Sequence, residues 1–265
     1  MKFSIITCTY NSEKYLSRCI ASVRGQTFKD YEHIFIDGYS NDNTIKMIDE
    51  YKAHNKNVRF LQKEKRGISN AMNEGIRDAG GEYIIHLHSD DRFYDPMVLE
   101  DTASFLEKYG PDWIYGKINV LKDNEHRIGI FPDRKVLQYS YKSIFGKYLL
   151  KFFSFVPHQA VFIKKQVFEV YGYFDESIST AMDPDLWMRI RKKTTWTFFD
   201  RIISDFCIGE DTESSSKKNI EQNRKNIETV QRRYMNLFEF AFARLFNSFT
   251  AGINKVHKAL RRGKH

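Results

Sequence analysis

The residues best suited to chemistry are two adjacent carboxylates, Asp90 and Asp91, which follow an apolar run at residues 83–87. A largely apolar run of this length, bounded by polar residues, predicts a buried strand. Two like charges this close repel each other, and burying them is costly unless a cation compensates. Hard oxygen ligands suit Mg²⁺ or Mn²⁺, and ligands of open α/β sheets bind beyond the carboxyl ends of the strands. We therefore expect a divalent metal and a phosphate-bearing ligand here, with a solvated acidic turn as the alternative.

The elements that must position this pair alternate between strand and helix. Strands are predicted at residues 2–8, 31–37, 58–62 and 83–87, and helices at 12–25, 43–54 and 68–79. This order predicts a mainly parallel sheet with right-handed crossovers. Further on, the pattern predicts helices at 96–109, 165–171 and 185–193, and strands at 112–121, 127–131 and 158–164. Residues 136–155 are ambiguous, 195–208 are rich in β-formers, and the chain reads as helical from about residue 216 to its end.

Composition limits the class of protein. The 265 residues are 42% hydrophobic, which supports a sizeable core. The three cysteines are an odd number without metal-type spacing, which favours a reducing compartment without a disulfide framework. The start of the sequence lacks the apolar core of a signal peptide, and no run of about twenty apolar residues occurs. These features predict a cytoplasmic protein.

The net charge of +8 is unevenly distributed. Residues 217–265 contain 12 Lys or Arg and 3 Asp or Glu, whereas the preceding residues contain 30 basic and 31 acidic side chains. A basic surface spread over the whole domain is thereby excluded, so we expect no nucleic-acid partner. The charge distribution instead indicates a separate role for the C-terminal segment.

Seven short motifs follow one another in an order and spacing typical of one enzyme family. They occupy residues 5–11, 36–44, 67–75, 89–91, 157–162, 172–176 and 181–189. The chain resembles the family 2 glycosyltransferases, nucleotide-sugar-dependent enzymes with the GT-A fold, and in particular the branch that assembles bacterial surface polysaccharides. This resemblance implies an α/β, Rossmann-like GT-A fold, with a mixed, mainly parallel sheet flanked by helices. It covers residues 1–210, with a nucleotide-binding half at 1–95 and an acceptor half at 96–210, followed by a basic amphipathic helical tail at 211–265.

The resemblance implies a role for each candidate site residue. Cys8, Thr9 and Tyr10 correspond to the strand end that holds the nucleotide base. Asp37 corresponds to the carboxylate that accepts a hydrogen bond from the base or ribose, although an Asx turn is an alternative. Asp90 and Asp91 correspond to the carboxylates that bind the ribose and a Mn²⁺ or Mg²⁺ ion.

Three further residues complete the predicted site. Asp183 corresponds to the catalytic base, with N-capping of the following helix as its alternative role. His158 is a candidate for contacting the diphosphate or the acceptor, and a structural histidine is the alternative. Arg66, beside Lys65, could reach the base or phosphates or lie on a solvated loop.

The chain departs from the family pattern at several positions. His88 stands where many relatives carry Asp or Asn, which leaves two carboxylates in the acidic motif and puts the strength of metal binding in doubt. Lys65 and Asn70 replace acids that are common in this branch, and Met182 replaces a Glu that often precedes the base. No Gln-x-x-Arg-Trp motif follows, which disfavours a processive enzyme of the cellulose-synthase type.

The tail carries apolar residues at helical spacing from Tyr234 to Leu260, broadened by extra phenylalanines and flanked by Lys and Arg. A basic, Phe-rich amphipathic helix can lie in the interface of an anionic membrane. Packing on its own domain or in a homodimer is the alternative use of such a face. We therefore expect a protein attached peripherally to the inner face of the cell membrane.

The predicted activity is inverting, metal-dependent transfer of a sugar, from a UDP-sugar in our interpretation, to a hydroxyl of a glycan or lipid-linked acceptor in O-antigen-type polysaccharide synthesis. A nucleotidyltransferase is one alternative, although the first strand is followed by residues 9–12, Thr-Tyr-Asn-Ser, rather than by a Gly-rich basic loop. A catalytically degenerate sugar-nucleotide-binding protein is the other alternative, which His88 supports.

Overall fold

The computed structural model describes residues 1–122, 126–133, 137–152, 155–178, 180–208 and 217–244, without the side chains of 217–220. The strands are β1 Phe3–Thr9, β2 Tyr31–Asp37, β3 Val58–Gln62, β4 Tyr83–His86, β5 Arg92–Phe93, β6 Trp113–Lys122, β7 His126–Phe131, β8 Val161–Lys164 and β9 Trp196–Ile208. The helices are α1 Glu13–Arg24, α2 Thr44–Ala53, α3 Ile68–Asp78, α4 Val98–Tyr109, α5 Ile144–Phe152, α6 Lys165–Tyr171, α7 Met182–Ile190 and α8 Lys217–Tyr234. A further helix, α9, covers residues 237–244.

The described strands form one mixed sheet in the order β3-β2-β1-β4-β8-β6-β9-β5, with β7 paired to β6. The first four strands are parallel, as the βαβ pattern predicts, and β6 is parallel to β9. Strand β8 is antiparallel to both of its neighbours, and β5 is antiparallel to β9. Strands β6 and β7 pair with each other in antiparallel orientation. The carboxyl ends of β1, β2 and β4 therefore lie at one edge of the sheet, which is where the candidate residues occur.

Apolar residues cover both faces of the sheet. Helix α1 buries Leu16, Cys19, Ile20 and Val23, which recur at the spacing of one helical face. On the opposite face, α3 approaches β1 so closely that a Cβ added to Gly75 would lie 2.5 Å from Ile6 Cγ2, so only glycine fits there. Helix α7 is attached to the sheet by stacked tryptophans: Trp187 lies 5.1 Å from Trp113, ring centroid to ring centroid. Such stacking holds the N-terminal turn of α7 at a fixed place.

Several element predictions are wrong in detail. Residues His158–Ala160 form a 3₁₀ turn, closed by the Ala160 N–H to the Pro157 carbonyl at 3.0 Å, and the strand begins only at Val161. Helix α7 begins at Met182, three residues before the predicted start. Strand β5 has two residues and was not predicted, because its partners in β9 lie 111 and 113 residues further along the chain and leave no local pattern.

The tail is not one continuous helix. Helix α8 ends at Tyr234, and a capping box starts α9: the Glu239 N–H donates to Asn236 Oδ1, and the Asn236 N–H donates to Glu239 Oε2, both at 2.9 Å. Residues 245–265, which include the rest of the predicted amphipathic face, lie outside the described residues. Among the described helices, none combines the length and the apolar character needed to span a bilayer.

Candidate active site

A cavity of about 920 Å³ lies beyond the carboxyl ends of the parallel strands. Every residue predicted for the site lines this cavity: Cys8, Thr9, Tyr10, Asp37, Arg66, Asp90, Asp91, His158 and Asp183. These residues come from segments up to 175 positions apart in the sequence, and the fold brings them together around one cavity. The cavity also borders α8, through Asn223.

Asp37 closes the turn between β2 and α2. Its Oδ1 accepts the Ser40 N–H at 2.8 Å, and its Oδ2 accepts the hydroxyls of Thr9 at 2.8 Å and Ser40 at 2.6 Å. The side chain is fully buried. The turn interpretation therefore describes what Asp37 does in this structure, and contact with a nucleotide stays a prediction.

Replacing Asp37 with Ala is expected to lower stability, because the Thr9 and Ser40 hydroxyls would lose their buried acceptor. We expect a loss of about 2–4 kcal/mol in the free energy of unfolding and a fall in melting temperature of roughly 5–10 °C by differential scanning calorimetry. Asp49→Ala, exposed on α2, is the matched control and should be neutral. Equal melting temperatures for the two variants would contradict the turn role.

The end of β1 presents an aromatic surface to the cavity. Tyr10 is 46% exposed, and Lys65 Nζ lies 3.6 Å from its ring centroid, a cation–π contact. Burial raises the pKa of the Cys8 thiol to about 12, so this side chain is uncharged at neutral pH. Arg66 is exposed at the rim and pairs with Glu64 at 2.9 Å. A planar base could stack on the Tyr10 ring, with Lys65 beside it.

Asp91 is buried with one of its two oxygens unsatisfied. Its Oδ1 accepts the Cys207 N–H at 3.2 Å, whereas Oδ2 has no hydrogen-bond partner. Burial first, and then the neighbouring Asp90 carboxylate, raise the pKa of Asp91 well above its usual range. An ionised, half-satisfied carboxylate in such a place is costly unless a cation lies beside it.

The acidic pair fits a metal that the ligand helps to coordinate. Among the described residues, no group of three or more His, Cys, Asp or Glu side chains is arranged to hold a metal ion. Mg²⁺ and similar ions are commonly held by one or two carboxylates together with substrate phosphates and water. Asp91, with its free Oδ2, and the partly exposed Asp90 match that kind of site.

Three histidines lie in ring contact beside the acidic pair: His86 and His158 are buried, His88 is half-buried, and His88 and His158 line the cavity. His158 stacks on His86 with ring centroids 5.4 Å apart and lies 5.5 Å from His88. Burial lowers the pKa of all three, that of His86 to about 3, so they are neutral near pH 7. His158 Nε2 has no partner and is free to make one hydrogen bond. His86 was missed from the sequence because it lies inside the apolar run.

Asp183 lies in the first turn of α7, not at its N-cap. The N-cap is Ala181, which has a left-handed backbone with φ 63° and makes no side-chain cap, so the capping alternative is wrong. Burial raises the pKa of the Asp183 carboxyl to about 7. A carboxylate with a pKa near neutrality, aimed into a cavity, has the property that a general base needs.

Glu176 is a cavity residue that sequence analysis did not select. Asn73 and Asn70 of α3 donate to its carboxylate at 2.9 and 3.0 Å, which lowers its pKa. Hydrogen bonds thus connect the motif at residues 67–75 to the motif at residues 172–176. Asn223 was missed as well, since nothing in a basic helical tail distinguishes it.

The order and spacing of the motifs now have a structural counterpart, and the profile of Glycosyl transferase family 2 matches residues 4–172. The chain belongs to this family. Chondroitin synthase of Escherichia coli is 27% identical over 220 residues, covering 83% of this chain and 31% of that protein. Poly(ribitol-phosphate) beta-N-acetylglucosaminyltransferase TarS of Staphylococcus aureus is 26% identical over 198 residues, covering 69% and 34%. The family 2 chain thus spans about a third of the length of these curated relatives.

Solved structures establish the fold. The fragment 1–349 of TarS from Staphylococcus aureus, in complex with UDP-GlcNAc, superposes with a TM-score of 0.66 at 22% identity, covering 87% of this chain and 66% of that fragment. The mannosyltransferase PcManGT of Pyrobaculum calidifontis, in complex with GDP-Man and Mn²⁺, gives a TM-score of 0.66 at 15% identity, covering 89% and 65%. The GT-A fold predicted from the motifs is therefore confirmed, and its structural neighbours bind nucleotide-sugars.

Proposed function

We propose that this family 2 chain transfers a sugar from a UDP-sugar to a hydroxyl group of a glycan or lipid-linked acceptor in surface-polysaccharide synthesis, with inversion at the anomeric carbon. One observation carries the proposal: Asp91 with its unsatisfied Oδ2 and Asp183 with a pKa of about 7 line the same cavity. A nucleotidyltransferase, the alternative considered from the sequence, is disfavoured by the family match.

In this proposal the nucleotide lies along the ends of β1, β2 and β4. Tyr10 stacks on the base, Thr9 and Asp37 shape the turn beneath the ribose, and Arg66 covers the open side. Asp90 and Asp91 would hold a Mn²⁺ or Mg²⁺ ion, which would neutralise charge on the departing diphosphate. His158 donates its single hydrogen bond to a phosphate or to the acceptor as a neutral ring.

Asp183 supplies the base. The acceptor hydroxyl attacks the anomeric carbon from the face opposite the nucleotide, and the Asp183 carboxylate takes its proton as the bond to the diphosphate breaks. Because the pKa is about 7, the carboxylate is ionised in a large fraction of molecules at neutral pH and still binds a proton readily. The fixed position of α7 on the sheet keeps this group directed into the cavity.

The identity of the donor is open to a direct experiment. UDP-GlcNAc, UDP-glucose, UDP-galactose and GDP-mannose are incubated with the purified chain and Mn²⁺, with and without p-nitrophenyl glycosides as acceptor probes. We expect nucleotide release from a UDP-sugar, accelerated by one of the glycosides, and loss of that release in EDTA. Binding of the nucleotide without release from any donor would favour the degenerate binding protein instead.

We further propose that the chain docks on an anionic membrane surface through α5 and α9. Their exposed apolar side chains are Ile144, Phe145, Tyr148, Leu237, Phe238 and Phe242. The two helices adjoin: Phe152 and Phe242 are in edge contact with centroids 5.8 Å apart, and Lys151 pairs with Glu239. The basic excess of residues 217–265 complements anionic headgroups, whereas Phe240 on the other side of α9 is buried against the domain.

A double variant, Leu237→Ser with Phe238→Ser, is expected to weaken binding to phosphatidylglycerol-containing vesicles by about ten-fold or more, since both side chains lose apolar area that the membrane would bury. Their 85% and 88% exposure means that the fold should be unaffected. Co-sedimentation of the full chain measures this, with Tyr109→Ser on α4 as the control. Added salt should also weaken binding. Failure of the parent chain to sediment with anionic vesicles at low salt would disprove the docking.

A further inference from the structure

One face of α8 lies against the segment that carries Asp183. The residues of that face recur at helical spacing and are Asn223, Asn226, Val230, Arg233 and Tyr234. The family profile ends at residue 172 and therefore covers neither α7 nor α8. From the sequence, residues 211–265 are predicted to form a basic amphipathic tail with a role separate from the catalytic domain.

The contacts of this face begin next to Asp183, the proposed catalytic base. Asn226 Nδ2 donates to Thr180 Oγ1 at 2.9 Å, three residues before Asp183. Val230 is buried in a small apolar cluster with Ile178, Ala181 and Met188. Ala181 lies within this cluster with a positive φ of 63°, a conformation that a residue with a Cβ keeps only when its surroundings hold it there.

Polar contacts at the end of α8 complete the attachment. Asp185, almost fully buried in the first turn of α7, accepts hydrogen bonds from Arg233 at 3.3 Å and from the Tyr234 hydroxyl at 3.1 Å on Oδ1. Arg189 donates to its Oδ2 at 3.2 Å. Arg233 also pairs with Asp175 at 2.6 Å. It therefore joins the two ends of the segment from Asp175 to Asp185, and Asp183 lies between them.

At the opposite end of the same face, Asn223 borders the cavity. The cavity lining here consists of Glu176, Ile178, Thr180, Ala181, Met182 and Asp183. These residues lie on the Asp183 side of the cavity. They do not lie at the strand ends, where we propose that the nucleotide binds. A primary amide both donates and accepts hydrogen bonds, which suits the hydroxyl groups of a sugar.

We propose that α8 contributes two residues to the function of the catalytic cavity. Arg233 positions Asp183 by holding the segment from Asp175 to Asp185, and Asn223 contacts the acceptor. This inference rests on the proposed glycosyltransferase activity and extends it to residues that follow the family match. Because Arg233 reaches Asp183 only through Asp185 and Asp175, it is a positioning residue. The acceptor side of the site is then built by α8 together with α7.

The test compares Arg233→Met, Arg233→Lys and Asn223→Ala with the control Lys225→Ala, in which only a solvent-exposed pair with Glu221 on α8 is lost. Two rates are measured with Mn²⁺ at a temperature where all variants are folded: hydrolysis of UDP-GlcNAc, or of the UDP-sugar that the donor panel identifies, and transfer to a p-nitrophenyl glycoside. Calorimetric affinity for UDP and the melting temperature are recorded beside them.

Arg233→Met is expected to lower kcat of both reactions by about ten- to a hundred-fold, the scale of a misplaced reacting group, with donor KM and UDP affinity unchanged. Arg233→Lys keeps one charged contact and should recover part of kcat. Asn223→Ala should lower kcat/KM for transfer by about three- to ten-fold, the scale of one hydrogen bond, and leave hydrolysis unchanged. Lys225→Ala should leave both rates unchanged.

Two results would overturn the inference outright and a third would count against positioning, and all three leave the proposed function intact. One is an Arg233→Met enzyme with the kcat of the Lys225→Ala control. The other is an Asn223→Ala enzyme that loses hydrolysis and transfer equally or loses neither. A loss of kcat in Arg233→Met that Arg233→Lys does not recover at all would also count against positioning. If the unaltered chain releases no nucleotide from any donor, it is the proposed function that fails.

Discussion

Replacing Asp183 with Asn is expected to lower turnover by about two to four orders of magnitude, the scale of losing a general base. That corresponds to about 3–5 kcal/mol of transition-state stabilisation. Asn has nearly the same size, so the first turn of α7 and the packing of Trp187 on the sheet should persist. Affinity for UDP, measured by calorimetry, should be unchanged, because we place Asp183 on the acceptor side of the cavity.

The pH dependence of the unaltered enzyme gives an independent test. Burial raises the pKa of Asp183 to about 7, and a base must be ionised to accept a proton. Turnover should therefore rise as the pH increases through about 7 and level off above it, and the residual rate of Asp183→Asn should lack this rise. Asp49→Asn on the exposed face of α2 is the matched control. Near-normal turnover of Asp183→Asn with a lowered melting temperature would mean that the residue is structural.

Replacing Asp91 with Asn is expected to abolish Mn²⁺-dependent donor binding. The substitution removes the charge on the unsatisfied Oδ2 while Oδ1 still accepts the Cys207 N–H. The same change should raise the melting temperature of the metal-free protein. The pKa of Asp91 is raised in the folded protein. Its ionisation therefore opposes folding at every pH above the pKa that the Asp91 carboxyl has in the unfolded chain. An isosteric neutral side chain relieves that cost.

Titration calorimetry of UDP with and without Mn²⁺ measures the first effect, and scanning calorimetry at pH 7 without metal measures the second. Asp49→Asn should change neither quantity. The metal assignment would be wrong if Asp91→Asn kept Mn²⁺-dependent affinity for UDP. A lower melting temperature would mean that the Asp91 carboxylate is stabilised by contacts other than a metal.

The local sequence determines the parallel half of the fold. The strands at residues 31–37 and 58–62 occur where the apolar runs predict them. The helices between the strands agree to within about two residues, since each has its own periodicity and its own stop signals. The acidic pair at the end of an apolar strand also needs no tertiary information, because chain order alone puts Asp90 and Asp91 at the carboxyl end of β4. The motif order was enough to predict the family.

Only the tertiary structure decides the part of the cavity around Asp183. Whether Asp183 caps α7 or lies within it depends on the left-handed backbone of Ala181, which packing against α8 supports. The pKa values of Asp91 and Asp183 depend on burial by residues far away in the chain, which no local pattern records. The attachment of Arg233 to Asp185 joins residues 48 positions apart. Sequence periodicity reports which face of α8 is apolar, but the partner of a face is fixed by the packing of the whole chain.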